Sequence, residues 1–369
     1  MAAALCENGF AGIFPCENYD LISTINLTEF GAAKGNDIWG WTAPSGKEFV
    51  LMGLDNGTGF VDISTPSEPV YLGKLPTATV SSNWRDVKVY QNYAFIVSEA
   101  EGHGMQVFDL TRLESASGVQ TFTADATYNE FGNAHNIVIN TNSGYAYAVG
   151  TETFDGGPHF INIQNPLQPT AAGGYSMGSY SHDAQVVIYQ GPDLDHQGKE
   201  ILIGSNTDEI VIVDISDKSN PQEISTISYA NVGYTHQGWF TEDQRFFLLG
   251  DELDEVNFGF NSKTLIFDFT DLDNPQLHFE YLGPNASIDH NGYVKGDLFY
   301  LANYTSGLRV LDLSAIEDQQ LTEVGSFDTF PDHNDPVFRG VWSVYPYFQS
   351  GNIILSDITG GLFIVKEKI

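Results

Sequence analysis

The sequence predicts an all-β chain: a single seven-bladed β-propeller whose seventh blade is closed by the N-terminal strand. Three observations carry this. An apolar, β-branched segment ending in Asp or Asn recurs along the chain about every 50 residues, the period of a four-stranded blade. A second, polar series interleaves with it. The last repeat stops after its third strand, while an unassigned strand, Ile22-Ser23-Thr24-Ile25, stands near the N-terminus.

The first series begins at Gly59-Phe60-Val61-Asp62-Ile63-Ser64 and Gln106-Val107-Phe108-Asp109-Leu110-Thr111. It continues through His159-Phe160-Ile161-Asn162, Ile210-Val211-Ile212-Val213-Asp214, Leu265-Ile266-Phe267-Asp268 and Arg309-Val310-Leu311-Asp312, and closes at Gly361-Leu362-Phe363-Ile364-Val365-Lys366 without the Asp. Turn residues bound each copy, as in Asp217-Lys218-Ser219-Asn220-Pro221, so the copies read as strands and the repeated Asp as a turn former. The second series opens each unit: Asn36-Asp37, Arg85-Asp86, His135-Asn136, His182-Asp183, His236-Gln237, His290-Asn291 and Gly340-Val341. A short strand, a tight turn and a partner strand follow each member. Ile22–Ile25 repeats the four residues of the fourth unit's outer strand, Ile224-Ser225-Thr226-Ile227, and is therefore expected to complete blade seven and remove its exposed edge. The expected organisation is a disulfide loop over 1–18 and a propeller over 19–369, with 19–30 as the outer strand of blade seven.

Length alone, 369 residues, suggests two or three domains, but a repeat absorbs it in one. With 48 acidic and 15 basic residues the formal charge is −33. That excludes nucleic acid and anionic membrane surfaces as partners, because both need Lys and Arg. Hydrophobic content of 42% is too high for a disordered acidic chain, so the charge reads as that of a folded, soluble, exported protein, expected to be a monomer. Two cysteines, Cys6 and Cys16, are spaced for a small disulfide loop and an oxidising compartment. Met1–Leu5 does not read as a leader, so export would require one outside this chain. No apolar run reaches the roughly 18 residues of a membrane span.

Several motifs carry a resemblance. Ile210-Val211-Ile212-Val213-Asp214 resembles the LVIVD repeat. Together with Cys6-Glu7-Asn8-Gly9, Asn36-Asp37-Ile38-Trp39-Gly40-Trp41, Trp84-Arg85-Asp86-Val87-Lys88-Val89, Gly132-Asn133-Ala134-His135-Asn136-Ile137 and Tyr234-Thr235-His236-Gln237-Gly238-Trp239, it is similar to the bacterial choice-of-anchor B family of LVIVD-repeat proteins. The resemblance implies an exported, cell-surface or secreted bacterial propeller, usually tethered by a C-terminal anchor. No anchor is visible at Lys366-Glu367-Lys368-Ile369. The resemblance supplies no activity, so function has to come from the site.

In a propeller the innermost strands begin on one face, and the loops between second and third strands return to it. The second series therefore rings the top of the central channel. Of nine histidines, His103, His135, His182, His236, His290 and His333 map to this face. His135, His182, His236 and His290 occupy equivalent positions in four successive blades and are the expected metal ligands, because converging neutral imidazoles suit Fe, Zn, Cu or Mn. Glu99, Asp183, Asp251, Glu252 and His333 are expected on the ligand-binding face. Arg85, His103 and Tyr304 are the catalytic candidates, Arg85 by binding an anionic group or by pairing with Asp86 or Asp37. The competing reading makes the histidines a repeated packing device, hydrogen-bonded between blades. The metal reading predicts binding that weakens below about pH 6, as imidazoles approach their reference pKa near 6.5.

Two functions follow. One is a metal-dependent extracellular enzyme, a lyase, hydrolase or oxidoreductase, acting on a small molecule or polysaccharide. The other is a non-catalytic surface propeller binding a glycan, a protein or calcium through its acidic top face. A separate calcium candidate, Asp193-Leu194-Asp195-His196-Gln197-Gly198-Lys199-Glu200, lies on the opposite face, where a plain hairpin turn competes with it.

Overall fold

The computed structural model describes residues 3–176 and 180–368. Seven antiparallel sheets, each built on four strands, are arranged around a channel. The innermost strands are Gly35–Thr42, Arg85–Tyr90, Asn136–Asn140, Asp183–Ile188, Thr235–Phe240, Gly292–Lys295 and Val341–Tyr345. Each touches the next, and the last touches the first, so the ring is closed.

Closure comes from the N-terminal segment. Tyr19–Ile25 pairs antiparallel with Gly361–Glu367, from Tyr19 opposite Glu367 to Ile25 opposite Leu362, and forms the outer strand of blade seven. The strand is shorter than the predicted 19–30. Asn26 caps a helical turn over Leu27–Phe30, Glu29 Oε1 accepts from the Asn26 amide at 3.2 Å, and Gly31 ends the turn at φ 60°. The residues ahead of this strand do not hang free. Phe10–Ala11 and Phe14–Glu17 form a hairpin that joins blade six, with Cys16 opposite Phe327. A Cys6–Cys16 disulfide ties its base. Phe14 packs 5.8 Å from Phe327 of blade six and 5.3 Å from Phe363 of blade seven, so one segment bridges two blades.

The core lies between blades. Alternate residues of each strand face one neighbouring blade and then the other. Phe60 of blade one stacks on Phe108 of blade two at 4.6 Å, and Val211, Val213 and Ile215 of blade four pack on Tyr147 and Phe160 of blade three. The repeated Asp residues work as turn formers. Asp62, Asp109, Asp214, Asp268 and Asp312 each accept from the backbone amide two residues on, at 2.8–3.0 Å.

Candidate functional site

The polar series places its first members around the upper channel. His135, His182, His236 and His290 form an arc with successive ring centroids 4.1, 4.4 and 4.4 Å apart. Each lies within two residues of the start of an innermost strand, so the repeat alone aligns them. His182 and His290 are tied by Nδ1 to a neighbouring blade: Nδ1 of His182 donates to the backbone oxygen of His236 at 3.1 Å, and Nδ1 of His290 to that of Trp342. His135 Nδ1 lies 2.5 Å from Glu99 Oε1. His236 Nδ1 is buried without a hydrogen-bond partner. In His182 and His290 the packing and ligand readings therefore describe different atoms of one ring: Nδ1 joins blades and Nε2 is left over.

Glu252 enters from the loop after blade five's second strand. Its Oε1 lies 3.5 Å from His290 Nε2 and 3.8 Å from His236 Nε2, and accepts from Tyr304 Oη at 3.0 Å. His182, His236 and Glu252 offer three ligand atoms within 4.8 Å of one another. Burial, reinforced for His182 and His236 by neighbouring imidazoles, holds both well below the ordinary histidine pKa; burial likewise takes His290 down to about 3. The rings are thus neutral at pH 7. Since His290 Nδ1 carries the proton donated to Trp342, its Nε2 presents a lone pair to a carboxylate oxygen. Two acceptors facing each other are satisfied only by a proton or a cation between them. Burial also raises Glu252 to about 7. This changes the pH expectation. His182, His236 and His290 are already deprotonated well below the ordinary histidine range, and the carboxyl beside them is raised to near neutrality.

The other predicted residues divide. Tyr304 joins the centre, its ring 4.7 Å from His290. Gly340, at φ +90°, makes room for it, because a Cβ there would collide with the Tyr304 backbone oxygen. Glu99 reaches the arc through His135. Arg85 and His103 are buried together instead of facing a ligand. Arg85 Nε donates to Leu54 O at 2.9 Å and Nη1 to His103 Nε2 at 2.8 Å, and His103 Nδ1 donates to Gly104 O at 2.9 Å. Burial and the guanidinium lower His103 to about 4. The expected Arg85 pairing with Asp86 or Asp37 does not form, because Lys88 takes both, at 2.5 Å and 2.8 Å. Asp183 lies with Lys88 along a small cavity of about 80 Å³ in the channel, outside the His182–His236–Glu252 group. Asp251 turns into the loop, accepting from Tyr229 Oη and the amides of Gly233, Tyr234 and Leu253. His333 is 37% exposed and pairs loosely with Asp335 at 3.5 Å.

The sequence reading missed Lys88. It sits two residues beyond Asp86 in an innermost strand, so its side chain projects on the same side. A lone basic residue at that register of so acidic a chain was the available signal. On the bottom face, the calcium-like segment is a turn. Asp193 accepts from the amides of Asp195 and Leu272, His196 Nε2 meets Asp273 at 2.8 Å, and Glu200 turns to Asn140, Ser143, Tyr147 and Lys218. Asp193, His196 and Asp273 do offer three ligand atoms within 4.8 Å of one another, but Asp273 is exposed and the carboxylate of Asp193 is already satisfied.

Above the histidine arc a cavity of about 340 Å³ opens, lined by Glu252 and Tyr304 with Trp84, Phe338, Trp342 and Lys34. Glu252 thus belongs to both the ligand triad and the cavity wall. The LVIVD-repeat family model matches residues 52–77, 83–102 and 198–228. The chain is a β-propeller that carries LVIVD repeats. No curated protein matches it. Among solved structures, the LVIVD propeller is similar to hydrazine synthase of Kuenenia stuttgartiensis, with 12% identity and a TM-score of 0.61 over 88% of this chain and 94% of that one. It is also similar to a Lactobacillus plantarum protein, with 13% identity and a TM-score of 0.57 over 87% and 88% of the two chains. A third is a Bacteroides fragilis protein described as a candidate 6-phosphogluconolactonase, with 11% identity and a TM-score of 0.56 over 88% of each chain. At these identities the likeness shows the propeller fold alone.

Proposed function

We propose that this LVIVD propeller is an exported enzyme of the choice-of-anchor B type, dependent on a divalent transition metal held by His182, His236 and Glu252, with His290 beside them. The observation that carries the proposal is the confrontation of the unprotonated Nε2 of His290 with Glu252, beside His182 and His236, at the floor of the top cavity. Two nitrogens and one oxygen suit zinc, iron, copper or manganese better than calcium, which takes oxygen ligands. The Nδ1 bonds from His182 and His290 to neighbouring blades fix ring orientation, as outer-shell bonds do in metal sites.

Such a metal supplies Lewis acidity or an activated water to a molecule in the cavity. Tyr304, its hydroxyl pKa driven far up by burial and Glu252, stays protonated and donates to Glu252. Trp84, Phe338 and Trp342 give apolar faces suited to a small ring-containing molecule or one unit of a polysaccharide. The Cys6–Cys16 disulfide supports an oxidising, extracellular location. Metal analysis of the purified protein by mass spectrometry tests the reading. About one transition-metal ion per chain is expected, with loss from Glu252→Gln and His236→Gln. A wild-type protein that takes up no transition metal would leave a non-catalytic binding propeller as the better reading.

A further inference from the structure

A second group of carboxyls lies between blades five and six, outside the histidine arc. Asp254 and Glu255 begin the short helix Asp254–Phe258, which links the second and third strands of blade five. Asp289 stands immediately before His290 at the entrance to blade six. All three are buried, at 0, 2 and 1% exposure. Glu255 faces Asp254 and Asp289, and both of its carboxylate oxygens lack a hydrogen-bond donor. Asp289 Oδ2 also lacks one, while its Oδ1 accepts from Ser262 and Asn303. Asp254 makes an ion pair with Lys263 at 2.9 Å and accepts no hydrogen bond. Nearby Asp251 is different: four donors already satisfy it.

Three buried carboxyls share one ammonium. Burial and the neighbouring carboxyls push Glu255 up to about 11, so in the metal-free chain it holds a proton, yet its two oxygens and Asp289 Oδ2 still lack donors from the protein. We propose that this pocket is a structural calcium site, with Glu255, Asp289 and Asp254 as its carboxylate ligands. The donors are all oxygen, which selects a hard cation and separates this pocket from the imidazole centre. The three carboxyls are not gathered as tightly as the His182–His236–Glu252 group. Calcium takes a larger and more flexible oxygen shell than a transition metal, which suits a looser group. One divalent ion would take the place of the proton on Glu255 and tie the helix of blade five to the entrance of blade six.

The test is calcium titration of the chelator-treated full chain at pH 8, followed by calorimetry and by thermal melting. About one calcium ion per chain should bind and raise the melting temperature by several degrees. Asp289→Asn and Glu255→Gln should each weaken binding at least about tenfold. Without calcium, Asp289→Asn should melt higher than the wild type, since it removes a buried carboxylate, and Glu255→Gln, which replaces a carboxyl already protonated, should melt close to it. Because that second effect is read on metal-free protein, it checks that the variants fold. His236→Gln should bind calcium as the wild type does, which separates this site from the proposed transition-metal centre. Absence of calcium binding by the wild type would overturn the proposal, as would unchanged binding in both carboxyl variants or loss of calcium only in His236→Gln.

Discussion

Two sets of side chains, adjacent in sequence, line the same channel and have opposite electrostatic characters. The first holds His135, His182, His236 and His290; the second holds the residues that follow equivalent positions, among them Asp37, Asp86, Asn136, Gln237 and Asn291. In the second set nearly every polar atom has a protein partner. Asp86 Oδ2 accepts from the Ile137 amide at 2.7 Å, Asn136 donates to His182 O at 3.2 Å, and Gln237 exchanges two bonds with Gly292 at 2.9 and 3.1 Å. Lys88 neutralises Asp37 and Asp86 and lies 4.7 Å over the Trp39 ring. In the histidine arc, Nδ1 of two rings is used in the same inter-blade way, but lone pairs remain that face Glu252. The difference teaches that polarity at a repeated channel position is not itself a sign of function. What distinguishes a candidate site is polarity left over after the blades have been joined.

That comparison can be broken most forcefully at Lys88. Lys88→Met leaves Asp37 and Asp86 buried without their cation, and a cost of about 3–5 kcal/mol is expected. Chemical denaturation would measure it, and metal content in the surviving folded fraction should be unchanged. A small stability loss with loss of metal would reverse the roles assigned to the two sets.

Glu252→Gln and His236→Gln should do the opposite. Transition-metal affinity is expected to fall on the order of 100-fold, at or beyond the upper end for losing an outer-shell partner. Metal-free stability should change by only about 1 kcal/mol, because Glu252→Gln can lose at most the one bond from Tyr304 and His236 Nδ1 makes none. Competition with a chromophoric chelator gives the first quantity and thermal melting the second.

The pH dependence sharpens the same contrast. Glu252, raised to about 7, must release a proton before it binds a cation. Affinity should therefore be constant above about pH 7 and fall roughly tenfold per unit below it. The histidines, held well below their ordinary range by burial, have already lost their protons in that window. Their contribution to folding runs separately. Because these pKa values are depressed, the unfolded chain binds more protons below about pH 6.5, and metal-free stability falls as pH drops through that range. An affinity profile that stays flat down to pH 6 would remove Glu252 from the centre.

The smallest effect is expected from Asn136→Ala, which deletes one bond to the backbone of His182. About 1 kcal/mol of stability should be lost, with metal affinity nearly unchanged.

The fold was legible because the repeat writes it several times over. The apolar runs, the Asp turn formers and the unassigned Ile22–Ile25 strand leave one arrangement that closes without free edges. The end of that strand at Ile25 was less legible: Asn26 and Glu29 form a capping pair that competes with extended structure. The histidine arc could be read because one strand register places its members alike. The direction of each nitrogen could not, since it depends on a backbone oxygen of the following blade. Nor could the pairing of Arg85, in the first strand of blade two, with His103, in the loop between its second and third strands, or the capture of Asp37 and Asp86 by Lys88. Glu252 was visible as a loop residue on the top face. Its place beside His236 and His290, and not that of neighbouring Asp251, is decided by which carboxylate the loop amides claim.

The most direct measurement is metal stoichiometry on wild type, Glu252→Gln and Lys88→Met prepared side by side at pH 8 and read for all transition elements at once. The account predicts about one ion per chain in the wild type and in folded Lys88→Met, and almost none in Glu252→Gln. Equal metal in the wild type and Glu252→Gln, or no metal in any of them after incubation with zinc, iron, copper and manganese salts, would contradict it.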